Sequence, residues 1–399
     1  VTSSDNGRGS TRDFQLPLRP LIFLSATAFA TVTAELMPAS LLLELSRDLE
    51  VSRAQAGLVV AAWALTVAAT SLPMVRVTRR IKQQVLVPSI LLVLSLATLV
   101  TASAPTFEVA VAGRVAAAVA HGLFWSLLVP IAAALVPPEK AGRAISVVLA
   151  GPSVAGIVGI PLGAAVGSAL GWRVSFGALA LLLLAAAGVA ALLRLPDATR
   201  PGQDRAPQAS GYRSVVLLSS AGGLILTGHF ALYTFVSPLL EDLGHFGSRS
   251  RAALLLVFGA AGVVGTLLAG SISDRHPTHA FTWVAVAFAL SAFSLRLVAQ
   301  STPAAVAAIT AWGLLMGLLP PVFQTRLLRS APPGRETTVS ALGITVLNLG
   351  IAAGAGMGGV TVAVAGPGAL PYAAAAVIGA TAAGLIVSAA PMREAPARR

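Results

Sequence analysis

From about residue 18 to residue 390 the chain is a succession of apolar stretches roughly 20 residues long, separated by short polar turns. That pattern leaves few folds open. In hydrocarbon each backbone N–H and C=O must be satisfied within the protein, so continuous stretches of this length read as membrane-spanning helices. Twelve are legible, near Leu18–Leu43, Ala54–Val75, Val85–Ala104, Phe107–Val136, Ala141–Ser168, Trp172–Leu193, Val215–Leu240, Ala252–Ile272, Ala280–Ala299, Pro303–Leu328, Thr337–Ala363 and Gly368–Ala390. With 56% hydrophobic and 11% charged residues, a soluble domain is excluded. Cysteine is absent, which rules out disulfides, thiolate metal ligands and cysteine catalysis. Residues 1–17 are polar and turn-rich, and the span after them reads as a retained helix rather than a cleaved signal.

The net charge of +12 invites a nucleic-acid reading, and its distribution argues against one. With the N-terminus inside, about 20 of the 27 Lys and Arg fall on the cytoplasmic side and about 6 outside, so the excess is a topology signal. Both termini are then expected in the cytoplasm. Residues 194–214, with Pro196, Pro201, Gly202 and Pro207, read as a cytoplasmic linker. It divides the chain into an N-terminal tail (1–17), a six-helix bundle (18–193), a second bundle (215–390) and a C-terminal tail (391–399). A faint repeat agrees: Arg53-Ala-Gln-Ala-Gly-Leu-Val-Val opens span two and Arg251-Ala-Ala-Leu-Leu-Leu-Val-Phe opens span eight.

Glycines recur at helical spacing in span five (Gly151, Gly159, Gly163 and Gly167, with Ala155), span eleven (Gly350, Gly354, Gly358) and span eight (Gly262, Gly270, with Thr266). Such stripes let backbones approach closely and are expected where the two halves meet, with static packing as the alternative. Pro152 and Pro161 are expected to bend span five.

Glu35 is the one carboxylate well inside a span, and Arg114 the one Lys or Arg deep in any span. Their depths match, so the pair is expected to lower each other's burial cost, as a coupling pair or as a permanent lock between two helices. Thr27 and Thr31 share a face with Glu35, and Pro38 follows one turn beyond it. His121 and Trp125 continue the face of Arg114 in span four, and His229 and Tyr233 lie one turn apart in span seven. With Asn348 of span eleven, these are candidate solute contacts, and packing is the alternative for each histidine; Trp63 and Trp312 read as packing residues. No metal-ligand spacing, phosphate-binding loop or nucleophile elbow is present, so no enzyme chemistry is indicated. The energy source is then an ion gradient or none at all, and one buried carboxylate suits a proton better than sodium.

Several segments carry a resemblance. Gly270-Ser-Ile-Ser-Asp274-Arg275 between spans eight and nine matches the G-x-x-x-D-R loop of the major facilitator superfamily. The first-half copy, Thr78-Arg79-Arg80-Ile-Lys82, has lost the acid. Gly113-Arg114 followed by His121-Gly122 is similar to the fourth-helix arginine motif. Ala150-Gly151-Pro152-Ser-Val-Ala-Gly156 is similar to a loosened fifth-helix antiporter motif. Thr33-Ala-Glu35-Leu-Met-Pro38, Gly159-Ile-Pro161-Leu-Gly163, Gly171-Trp172-Arg173, Thr227-Gly-His229-Phe-Ala-Leu-Tyr233 and Leu347-Asn348-Leu-Gly350 resemble the twelve-span drug/proton antiporters, in the sugar-efflux and chloramphenicol-resistance branch.

The resemblance implies an all-α integral membrane fold of two six-helix bundles in a bacterial inner membrane, acting as a monomer with no cofactor beyond the proton gradient. It implies proton-coupled export of a small amphipathic solute by alternating access, with Glu35 and Arg114 as coupling residues. Arg79, Arg80, Gly270, Asp274 and Arg275 are then the gating motif. A sugar or nucleoside exporter, an uncoupled facilitator and a ligand sensor are the alternatives.

Overall fold

In a computed structural model of the chain, residues 16–389 are described except 52, 194, 197–211, 245 and 300. Both tails (1–15 and 391–399) and most of the linker therefore lie outside the described residues, which contain no strand. The helices are α1 (Leu18–Ser40), α2 (Leu42–Asp48), α3 (Arg53–Thr78), α4 (Gln83–Ala102), α5 (Phe107–Ala134), α6 (Ala141–Val154), α7 (Ile160–Leu170) and α8 (Trp172–Leu192). The second half follows with α9 (Tyr212–Tyr233), α10 (Val236–Gly244), α11 (Ser248–Arg275), α12 (Ala280–Ser294), α13 (Thr302–Arg329), α14 (Glu336–Ala365) and α15 (Leu370–Ala389). Eleven of the described helical rods are long and apolar enough to cross a membrane. The 26-residue α3 is the twelfth rod.

Span five shows how its prolines act. Each removes a backbone N–H, and between Pro152 and Pro161 the rod is wound as a π-turn over Ala155–Gly159, joining α6 to α7. Its counterpart α14 has no proline and runs unbroken for 30 residues. Both rods end on a glycine in the left-handed region, Gly171 (φ 92°) and Gly366 (φ 77°), before the next helix begins.

The glycine stripes do a different job from the expected one. A Cβ on Gly163 would lie 2.7 Å from the Met37 sulfur, and Gly151 and Gly159 likewise leave no room against Ser25 and Thr33 of α1. In α14, a Cβ on Gly354 or Gly358 would lie 2.5 or 2.6 Å from the carbonyls of Thr227 or Ala231 on α9. These stripes hold helices together within each half, α6–α7 against α1 and α14 against α9. Gly156, by contrast, faces open space. Only the stripe of α11 reaches across: Gly270 abuts Arg143 of α6.

Each half has its own apolar core, one spanning Leu21 to Leu195 and the other Val215 to Ala382, and Ala341 and Ile344 of α14 pack into the first. The halves meet along α6–α11 and α3–α14. Ser153 and Thr266 hydroxyls are 3.1 Å apart, and Thr345 donates to the Ala68 carbonyl at 3.3 Å. Because the rods alternate in direction, α6 and α14 begin, and α3 and α11 end, at the same end of the bundle. That end also carries Leu193 and Tyr212 and is termed the linker face.

Candidate functional site

The first half gathers its polar groups where α1, α3 and α5 meet, and Pro38 is the local cause. It has no N–H, so the carbonyl of Ala34, four residues earlier, lacks the donor that a regular helix supplies. Arg114 of α5 supplies one: Nη1 donates to the Ala34 oxygen at 2.6 Å and Nη2 to the Glu35 carbonyl at 3.0 Å. The guanidinium also lies over the indole of Trp63, with Cζ 3.9 Å from the ring centroid. A cation only 1% exposed is thus held by two carbonyl dipoles and a π face.

The carboxylate of Glu35 turns elsewhere, to Nε2 of His121 at 3.3 Å. The expected Glu35–Arg114 side-chain pair is therefore corrected: Arg114 takes the backbone of the Glu35 turn, and His121 takes its carboxylate. His121 stands edge-on to Trp63 at 5.0 Å and 5.9 Å from Trp125. Nδ1 of His121, Nε of Arg114 and the indole nitrogens of Trp63 and Trp125 have no hydrogen-bond partner among the described residues. The Glu35 side chain is 27% exposed, the accessible edge of an otherwise covered cluster.

The second half builds an aromatic box instead. His229 of α9 is 2% exposed and ringed by Phe230, Tyr233, Phe258, Phe288 and Trp312, with centroids 5.0–6.3 Å away. Phe258 and Trp312 touch at 4.6 Å. Among the described residues Nδ1 of His229 and the indole nitrogen of Trp312 lack partners, and Tyr233 is the exposed edge.

Two candidate solute contacts are committed to their own helices. The Thr31 hydroxyl, fully buried, donates to the Ala28 carbonyl at 3.0 Å, and the Asn348 amide donates to Ile344 at 2.9 Å. The Thr31 hydroxyl proton is thereby engaged, whereas the Asn348 amide keeps its second N–H and its oxygen. Trp63 packs into the apolar core, as the sequence leads one to expect, and also supplies the π face beneath Arg114. The sequence signal for that arrangement was Pro38, which frees a carbonyl that a buried guanidinium can reach. Phe230, Phe258 and Phe288 carried no comparable signal.

At the linker face, Asp274 at the end of α11 closes the seam between halves. It accepts from the backbone N–H groups of Gly142 (2.8 Å) and Arg143 (3.1 Å), the first turn of α6. Arg329 of α13 donates to Asp274 (3.1 Å), to the Ser273 carbonyl (2.7 Å) and across the seam to the Pro138 carbonyl (3.3 Å). Gly270 permits the close approach of α11 to α6, and Arg275 is exposed. In the first half Arg79 and Arg80 are exposed and line a cavity with Arg76 and Arg335. Among the described residues no three His, Asp or Glu side chains converge as a metal site.

Two bundles related by a repeat, an arginine seated in the fourth rod and an Asp-Arg seam lock frame the comparison with known proteins. The family profile described as Major Facilitator Superfamily matches residues 21–355. The chain belongs to that superfamily. This major facilitator protein is 35% identical over 351 residues to a protein of Mycobacterium tuberculosis named as a chloramphenicol efflux pump, covering 85% of this chain and 84% of that one. The E. coli fucose:proton symporter FucP has the same fold (TM-score 0.73, 14% identity, 93% of this chain and 99% of that one). So does the human organic anion transporter MFSD10 (TM-score 0.71, 16% identity, 93% of this chain and 100% of that one). The protein is a multi-span membrane transporter and not an enzyme.

Proposed function

We propose that this transporter is a proton-coupled exporter of a small, net-neutral aromatic solute of the amphenicol class, seated in a bacterial inner membrane with the linker face toward the cytoplasm. The observation that carries the reading is the Glu35–His121 contact. A carboxylate and an imidazole 3.3 Å apart, with the acid partly exposed, form a site where one proton is taken up or released. Arg114 keeps a fixed positive charge beside them through carbonyls that cannot titrate. Proton arrival at Glu35 removes the negative end of the Glu35–His121 contact, loosening α1 from α5. Departure restores it. Tyr233, the exposed edge of the aromatic box, offers a ring face to an aromatic solute. The family and the efflux-pump relative support this reading.

The test is export in an efflux-deficient bacterium, with chloramphenicol as probe. Wild type should lower accumulation and raise resistance, and both effects should vanish with a protonophore or with Glu35→Gln at unchanged expression. Full export by Glu35→Gln in the presence of a protonophore would sink the coupling and leave an uncoupled facilitator of the same fold. Export of sugars or nucleosides with no effect on chloramphenicol would overturn the solute class.

A further inference from the structure

We propose that the linker-face cavity of the first half binds a phosphate-bearing anion, which caps α14 as Asp274 caps α6. The two halves are equivalent there in register but not in charge. Asp274 lies 26 positions after Ser248, the start of α11, and Arg79 lies 26 positions after Arg53, the start of α3. Asp274 receives the N–H groups of Gly142 and Arg143, the second and third residues of α6. The second and third residues of α14 are Thr337 and Thr338, and both line the cavity. Where the second half places a carboxylate against its helix start, the first half places an arginine.

The cavity has a volume of about 690 Å³, and Arg76, Arg79, Arg80 and Arg335 stand in its wall. Among the described residues none of the four forms an ion pair. Among the described residues the N-cap position of α14, Arg335, makes no side-chain cap hydrogen bond. Thr337 is only 6% exposed, and among the described residues its hydroxyl has no hydrogen-bond partner. Glu336, the acid of that turn, is not in the wall. Unpaired guanidiniums around an uncapped helix start select an anion with several oxygens, because each fork takes two and the N–H groups take others. A phosphate group has them; a single carboxylate does not. Bound there, it joins Arg76, Arg79 and Arg80 of one half to Arg335 and Thr337 of the other, and so favours the state in which the linker face is shut.

An anionic lipid headgroup and a soluble phosphate compound share this chemistry, and two arms separate them. The purified full chain is delipidated in detergent, and its thermal unfolding is followed with phosphatidylglycerol against phosphatidylcholine, and separately with inorganic pyrophosphate. Wild type should be stabilised by at least one phosphate source in a saturable way. Arg79→Gln/Arg80→Gln should bind it about tenfold or more weakly, the loss expected for two charge-assisted forks, while Lys82→Gln, outside the wall, should not change it. A response to the lipid alone assigns the site to the headgroup, and a response to pyrophosphate alone to a soluble ligand. Arg79→Asp, which restores the acid, should unfold at higher temperature than wild type without ligand and lose the response. The proposal is overturned if neither source stabilises wild type, if the double variant responds as wild type does, or if the response appears only after neutralising Asp197 and Asp204 of the linker, which would make the linker the occupant.

Discussion

Ten residues beyond the tight contact of α1 with Gly151 stands Glu35; ten beyond the matching contact of α9 with Gly350 stands Tyr233. Trp63 and Phe258 are likewise matched, each ten positions into α3 or α11. The scaffold repeats, and the chemistry does not. One half carries a carboxylate, an imidazole and a guanidinium spread over an indole; the other closes five aromatic rings around a histidine. A division of labour follows from this asymmetry: charge is handled on one side of the pseudo-twofold relation and flat apolar surface on the other. The same asymmetry recurs at the linker face, where Asp274 locks one seam and Arg79 lines a cavity at the other.

The largest effect expected from that contrast comes from the buried cation. Arg114→Ala removes a cation and leaves the Ala34 carbonyl without the donor that Pro38 denies it, so it should cost about 4 kcal/mol. Trp312→Ala takes a fully buried indole out of the aromatic box and should cost about 3 kcal/mol by loss of packing alone. Thermal unfolding in one detergent, on both variants, ranks them. Should Trp312→Ala prove the costlier, the polar half is not the more tightly determined one.

A sharper comparison applies one kind of change at matched positions. Trp63→Leu removes the π face under Arg114 and should cost about 2 kcal/mol, packing and cation–π together. Phe258→Leu exchanges one apolar group for another and should cost about 1 kcal/mol. Equal losses would mean that Arg114 gains nothing from the ring beneath it. The pair is most informative when each is repeated in an Arg114→Lys background, where only the Trp63 effect should shrink.

The rods themselves were legible because burial in hydrocarbon forces long apolar runs, and the repeat because the two halves keep one register. Glu35, Arg114 and His121 were legible because ionisable groups at that depth are conspicuous. Their pairing was not. Two ionised groups at one depth suggest a salt bridge, yet the backbone competes: Pro38 leaves a carbonyl dipole unpaired, and the guanidinium satisfies it while the imidazole takes the carboxylate. The aromatic box escaped notice because its members are spread over four helices, where single aromatics look like ordinary packing. The glycine stripes announced close contact without naming the partner. Spacing fixes a face, and only the assembled bundle says what that face meets.

The smallest effects belong to the ends of the halves away from the linker face, where among the described residues each half carries one acid–arginine pair. In the first, Arg173 at the start of α8 reaches Asp48 of α2 and the Ala104 carbonyl (2.9 Å), while the Trp172 indole also donates to Asp48 (2.9 Å). That arrangement ties together helices more than 120 residues apart in sequence. In the second, Arg251 pairs with Glu241 only ten residues away (2.7 Å) and with the nearby Phe246 carbonyl. Asp48→Ala removes an exposed pair plus a hydrogen bond from an indole, and should cost about 1 kcal/mol. Glu241→Ala removes a local pair whose acid is 68% exposed, and should cost no more than about 0.5 kcal/mol. Salt distinguishes the contributions. Raising ionic strength from about 0.1 M to about 1 M shortens the screening length from ~10 Å to ~3 Å, so the Glu241 effect should vanish while part of the Asp48 effect, its neutral indole bond, persists. Identical salt dependence for both variants would show that the long-range clamp of the first half is no stronger than the local one of the second.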